Sequence, residues 1–195
     1  LFDCFTRYLW VISTSFSAML SFNPGPSKLH SGVRSAMQDA YDSGLLAASH
    51  RSAQFQGIYA LVVEGFQAKL GMPADYQLYF LGSATECWSV LSESLVREAS
   101  FHLHSGSFGE RWFEYAQAIC PESFGLHWPA DVPFAELTLP ALSSVDLVAV
   151  TQNETSTGHQ LQPQHLKALR HAAPDALLAV DATSSLGGLD LPLAE

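Results

Sequence analysis

The sequence predicts an α/β domain in which a mostly parallel sheet is covered by helices on both faces. Three observations carry this. Beyond Tyr76, short strand-like runs alternate with stretches of helical period, the order that βαβ units require. "DLVAV" is apolar enough to be a buried strand, and "DALLAV" is a further short apolar strand candidate. Small polar clusters, "GSATE", "TQNETSTG" and "DATSS", then follow strand candidates, and open parallel sheets hold their ligands beyond such strand ends.

The elements follow in order. The first twenty residues, "LFDCFTRYLWVISTSFSAML", stand apart from the rest: their apolar run from Tyr8 to Leu20 is too short to span a bilayer. They are expected to be an extension foreign to the domain, with a cleavable signal as the alternative. "FNPGPSKL" (Phe22 to Leu29) must be extended or turning, because two prolines flank a glycine. A helix is expected over "LHSGVRSAMQDAY", with Val33, Met37 and Tyr41 near one face. Another is expected over "SHRSAQFQGIYALVVEGFQAKLG", where Phe55, Ile58, Leu61 and Val62 recur at helical spacing and Gly71 with Pro73 ends the run. Residues 21–73 are thus an N-terminal segment with helices, and 74–195 the sheet-bearing domain.

"YQLYFLG" reads as a strand, "SATECWSVLSESLV" as a helix, "ASFHLHSG" as a strand and "SFGERWFEYAQAI" as a helix. The proline-rich stretch from Cys120 to Pro140 is expected to wind over the surface. "DLVAVTQNETSTG" is a buried strand running into a polar loop. "QPQHLKALRHAAP" is a helix with Pro163 near its start, and "DALLAVDATSS" supplies a further strand.

Composition narrows the function. With 48% hydrophobic and 14% charged residues the chain has ample material for a core. Its net charge of −10 repels a phosphate backbone, which argues against nucleic acid as a partner. Cys4, Cys87 and Cys120 form neither a disulfide framework nor a zinc pattern and fit a reducing cytoplasm. His102 and His104 form an H-x-H pair on one face of a strand, but nothing is placed to complete a metal site.

The polar clusters suggest chemistry. In "LGSATEC", small residues at a helix start let backbone N–H groups approach a phosphate, although Ser83 or Thr85 acting as a plain N-cap explains the same pattern. Asp181, at a strand end, either starts a turn or faces a protonated ring nitrogen. Asn153 and Thr155 stand at a neighbouring strand end. Phe108 could stack on a flat cofactor or belong to the core. His50 and Arg51, opening a helix, could bind a substrate's carboxylate or phosphate, or be surface groups with ordinary partners.

In their order and spacing, "FNPGPSKL", "SHRSAQF", "GSATECW", "TQNETSTG" and "VDATSS" resemble the phosphoserine aminotransferases, a branch of the class V pyridoxal-phosphate aminotransferases. The resemblance covers nearly everything beyond residue 20. It implies the large domain of a fold-type I transferase and pyridoxal 5′-phosphate as cofactor. Ala84 and Thr85 would help hold the cofactor phosphate, Phe108 would stack on its ring, Thr155 would contact the ring's hydroxyl side, and Asp181 would pair with the ring nitrogen. His50 and Arg51 would bind the substrate's anionic groups. The implied reaction moves an amino group between glutamate and 3-phosphohydroxypyruvate, giving phosphoserine and 2-oxoglutarate, in a cytoplasmic homodimer whose site lies at the subunit interface.

Two departures stand out: Thr85 replaces an Arg found in some members, and Phe108 a commoner Trp. The Schiff-base lysine is also absent, since Lys28, Lys69 and Lys167 are the chain's lysines and none sits a short way beyond Asp181. The chain is therefore expected to be the N-terminal part of an enzyme, without the small C-terminal domain and inactive as it stands. The rival expectations are another class V enzyme (alanine–glyoxylate aminotransferase or cysteine desulfurase), a nucleotide-binding α/β module, and a non-catalytic relative that only dimerises.

Overall fold

The computed structural model describes residues 28–189 and 191, so the expected extension and most of "FNPGPSKL" lie outside the described residues. The chain divides into two compact units that meet between Gln54 and Phe55. In the first, α1 (Val33–Asp42) forms where its periodicity predicts, followed by a 3₁₀ turn, Leu45–Ala47. Met37 and Tyr41, on the face expected to be apolar, are exposed. α2 (Ala53–Leu70), which lies in the second unit from Phe55 onward, matches the second expected helix, and Gly71 closes it at φ 63°, a left-handed conformation that side chains rarely adopt.

The second unit carries α3 (Ala84–Leu95), β1 (Ser100–His104), α4 (Ser107–Ile119), β2 (Phe124–His127), β3 (Leu147–Thr151), the two-residue strands β4 (Asn153–Glu154) and β5 (His159–Gln160), α5 (Pro163–Ala172) and β6 (Leu177–Asp181). Its main sheet has the order β2-β1-β3-β6, and every pair is parallel. β4 and β5 form a separate antiparallel ladder. Alternate residues along the main strands point to opposite faces, which is how one sheet serves two helical layers. Trp88 of α3 and Trp112 of α4 pack with Leu147 and Ala149 on one side. On the other, Phe101, Leu103, Val148 and Val150 pack with Leu166 and Leu169 of α5.

Two expectations fail. "YQLYFLG" contains no strand: residues 77–81 carry no regular structure, and no strand pairs with them among the described residues. Tyr, Leu and Phe suit a strand, but a strand also needs a neighbour. The stretch from Cys120 to Pro140 does not simply wind over the surface, because it contains β2 and a 3₁₀ turn, Phe134–Glu136. β2 hides in the sequence because it is a short sheet-edge strand interrupted by Gly125. That glycine lets a ring pass close by, since an added Cβ would sit 3.1 Å from Phe113 Cδ1.

His102 and His104 do share a face of β1, turned toward α4, where Trp112 and Phe113 meet their rings. Among the described residues no group of three or more His, Cys, Asp or Glu that could hold a metal ion includes them. His102 instead ends a buried chain, its Nε2 lying 3.0 Å from Ser100 Oγ, which bonds Ser123 Oγ at 2.9 Å.

Burial, and to a smaller degree His104, lowers the pKa of His102 to about 3 from 6.5. The unfolded chain therefore binds more protons between those values, so this contribution to stability is complete above pH 6.5 and is lost as pH falls toward 3. His104, His159 and His165 are shifted the same way, chiefly by burial. Urea unfolding followed from about pH 7.5 to about pH 4 is expected to show stability falling by at least about 1.4 kcal/mol per pH unit below the midpoint of a free histidine. His102→Gln is expected to remove the largest share of that slope; an unchanged slope would refute the assignment.

Candidate active site

The carboxyl ends of β1, β3 and β6 place His104, Thr151 and Asp181 along one edge of the sheet. Asp181 is the last residue of β6 and lies in register with Thr151 of β3. Both of its carboxylate oxygens are held. Oδ1 accepts the Thr183 N–H at 2.9 Å and the Thr183 hydroxyl at 2.6 Å, and Oδ2 accepts the Trp88 indole N–H at 3.1 Å. The D-x-T spacing produces the first pair locally, as a side-chain turn. The Trp88 bond comes from a helix 93 residues away in sequence.

Beside Asp181 lies a concavity of about 440 Å³, within the range of small-molecule sites, whose lining includes Tyr79, Ala84, Cys87, Trp88, Asp181 and Thr183. The structure thus brings Ala84 and Asp181 together. Ser83, not Thr85, is the N-cap of α3: its Oγ accepts the Glu86 N–H at 3.1 Å, while the Glu86 carboxylate accepts the Gly82 N–H at 2.6 Å. The N–H groups of Ala84 and Thr85, in the first turn of α3, have no hydrogen-bond partner among the described residues.

The start of α4, which follows β1, is closed. Glu154, fully buried, accepts the N–H groups of Phe108 at 3.3 Å and Gly109 at 3.0 Å, and the Ser107 N–H donates to Ser156 Oγ. Between the starts of α3 and α4, α3 therefore presents open donors for an anion and α4 does not.

The remaining candidates are placed as follows. Phe108 is the second residue of α4 and 44% exposed, as a ring available for stacking must be, but it does not line the concavity. Thr155 bonds its hydroxyl to that of Ser184, tying the loop after β4 to the loop after β6. His50 and Arg51 belong to the N-terminal unit, in a turn that ends two residues before α2 rather than in its first turn. Sequence reasoning missed Trp88, Thr183 and Glu154. Trp88 was legible in part, since it follows Ala84 by one helical turn and shares its face.

No family model matches the chain. Curated relatives do. A phosphoserine aminotransferase of Nocardioides sp. is 31% identical over 181 residues, covering 89% of this chain and 46% of that protein. That of Corynebacterium glutamicum is 29% identical, covering 88% and 44%. Among solved structures, a phosphoserine aminotransferase from Cytophaga hutchinsonii superimposes with a TM-score of 0.77 at 34% identity over 86% of this chain and 46% of the other. Pyridoxamine–pyruvate aminotransferase from Mesorhizobium loti, at 21% identity and a TM-score of 0.69, shares the fold.

The sheet and its two helical layers are those of the large domain of fold-type I, pyridoxal-phosphate-dependent aminotransferases. Within that class the chain is similar to phosphoserine aminotransferases over most of its own length, and it spans a little under half the length of the relatives it matches.

Proposed function

We propose that this chain is part of a phosphoserine aminotransferase and contributes the cofactor-binding half of its active site. The observation that carries the proposal is the shared concavity: an anion-ready helix start at Ala84 and, across it, a fixed carboxylate at Asp181. That donor set fits pyridoxal 5′-phosphate, which has a phosphate at one end and a basic ring nitrogen at the other. When bound, the cofactor supplies an electron sink that no side chain provides.

The residues of this chain do the rest. The N–H groups of Ala84 and Thr85 bind the phosphate with the help of the α3 dipole. Asp181 keeps a proton on the ring nitrogen by holding a negative charge against it. Phe108 contributes an aromatic face and Thr155 a hydroxyl at the ring's edge. His50 and Arg51 bind the anionic groups of phosphoserine and of 2-oxoglutarate or glutamate. The enzyme works as a cytoplasmic homodimer in serine biosynthesis, with part of each site supplied across the subunit interface. Residues 74–195 form the cofactor-binding domain. No lysine lines the concavity among the described residues, so the Schiff-base lysine is assigned to polypeptide outside this sequence.

The test is a titration of the 195-residue chain with pyridoxamine phosphate, which needs no Schiff base, and separately with ATP, following tryptophan fluorescence. Saturable quenching by pyridoxamine phosphate alone is expected, with no transamination by this chain. Binding of ATP in its place would sink the proposal in favour of a nucleotide module.

A further inference from the structure

We propose that Trp88 is a positioning residue that fixes the Asp181 carboxylate toward the bound cofactor's ring; its cofactor arm rests on the function proposed above. The two oxygens of Asp181 are held by groups of different kinds. Thr183, on Oδ1, is an exposed residue in the loop that Asp181 itself begins. Trp88, on Oδ2, is 4% exposed and sits in the middle of a packed helix layer.

Its indole plane cannot turn freely. It stacks on Trp112 with centroids 5.9 Å apart and an interplanar angle of 11°, and Tyr115 closes a further side at 6.4 Å. Trp112 is itself fixed, 1% exposed and met edge-on by His102 at 5.7 Å. The direction in which the indole N–H points is therefore set by the core, and with it the rotation of the Asp181 carboxylate.

α3 gains a second role from this. Ala84 and Thr85 present N–H groups at its first turn, and Trp88 lies four residues beyond Ala84, about 6 Å along the axis. One rigid helix then sets both ends of the site: the phosphate end directly, and the ring-nitrogen end through Trp88 and Asp181. A carboxylate tethered only by a mobile loop would hold the ring less well, because its orientation would be lost to rotation before each binding event.

Trp88→Phe keeps an aromatic face against Trp112 and removes only the donor. The expected result is about tenfold weaker binding of pyridoxamine phosphate, the scale of one charge-assisted hydrogen bond. The absorption band of the bound ring is also expected to titrate at lower pH than in the unsubstituted chain, which a packing defect alone would not produce. Equal affinity with an unchanged titration would overturn the proposal.

A second arm needs no ligand. In ¹H–¹⁵N spectra the Trp88 indole N–H should exchange slowly with solvent, and Asp181→Ala should accelerate that exchange at least tenfold. Fast exchange in the unsubstituted chain, or no change on substitution, would also refute it. If the unsubstituted chain binds no pyridoxamine phosphate, the proposed function fails, and the indole exchange still decides whether Trp88 holds Asp181.

Discussion

Asp181→Ala in a complete enzyme is expected to lower transamination by about 10²–10³-fold or more, the scale of removing one preorganised electrostatic partner of developing charge. Without the carboxylate nothing at the end of β6 favours a proton on the cofactor's ring nitrogen, so the ring withdraws electrons poorly. Cofactor retention should fall as well. Part of any loss could come from structure, since the substitution leaves the buried Trp88 indole N–H without its acceptor, which costs about 1–3 kcal/mol. Asp181→Asn separates the two effects. Its side-chain oxygen can still accept a hydrogen bond, so unfolding should stay near that of the unsubstituted protein, yet activity should remain within about tenfold of Asp181→Ala. Activity of either variant close to normal would remove Asp181 from the mechanism.

What the sequence disclosed and what it withheld follow from the range of the interactions involved. β3 was legible because a strand buried on both faces is apolar at nearly every position, and the half-buried edge strand β6 because its short apolar run ends in a polar cluster, each a property of the segment alone. Asp181 and Ala84 were legible because short motifs at strand ends and helix starts carry their chemistry locally. β2 was not, since it is a half-exposed edge strand with a glycine selected by the ring of Phe113 rather than by local propensity. Residues 77–81 erred in the other direction: their side chains suit a strand, but pairing is a property of two segments and no partner is present among the described residues. Trp88 and Glu154 both lay inside quoted motifs and still went unassigned. Their partners, Asp181 for one and Phe108 with Gly109 for the other, are tens of residues away in the chain, and only the folded sheet edge brings them together.

Glu154→Ala is expected to destabilise the fold by about 2–4 kcal/mol, because a buried acceptor of several donors disappears at once. The carboxylate accepts the N–H groups of Phe108, Gly109 and Ser156, together with the Ser156 hydroxyl at 2.7 Å. Gly109 is buried, so its N–H cannot turn to water instead. Nothing larger fits nearby either: a Cβ at Gly106 would lie 2.5 Å from Glu154 Cγ. Glu154→Gln should recover only part of the loss. An amide presents two further donors to a pocket already made of donors, and it loses the negative charge that favours the start of α4. Although burial pushes the carboxyl's pKa up, the hydrogen bonds from Gly109, Ser156 and Phe108 outweigh it and hold the value below 4.5. The folded state therefore releases this proton more readily than the unfolded chain, and the stabilisation is present above pH 4.5 and disappears as pH falls through the lowered value. Denaturant unfolding at neutral pH checks the prediction, and a loss under about 0.5 kcal/mol for Glu154→Ala would contradict it. By filling the start of α4 with its own carboxylate, the protein closes that helix end to an outside anion, while the first turn of α3 keeps open donors.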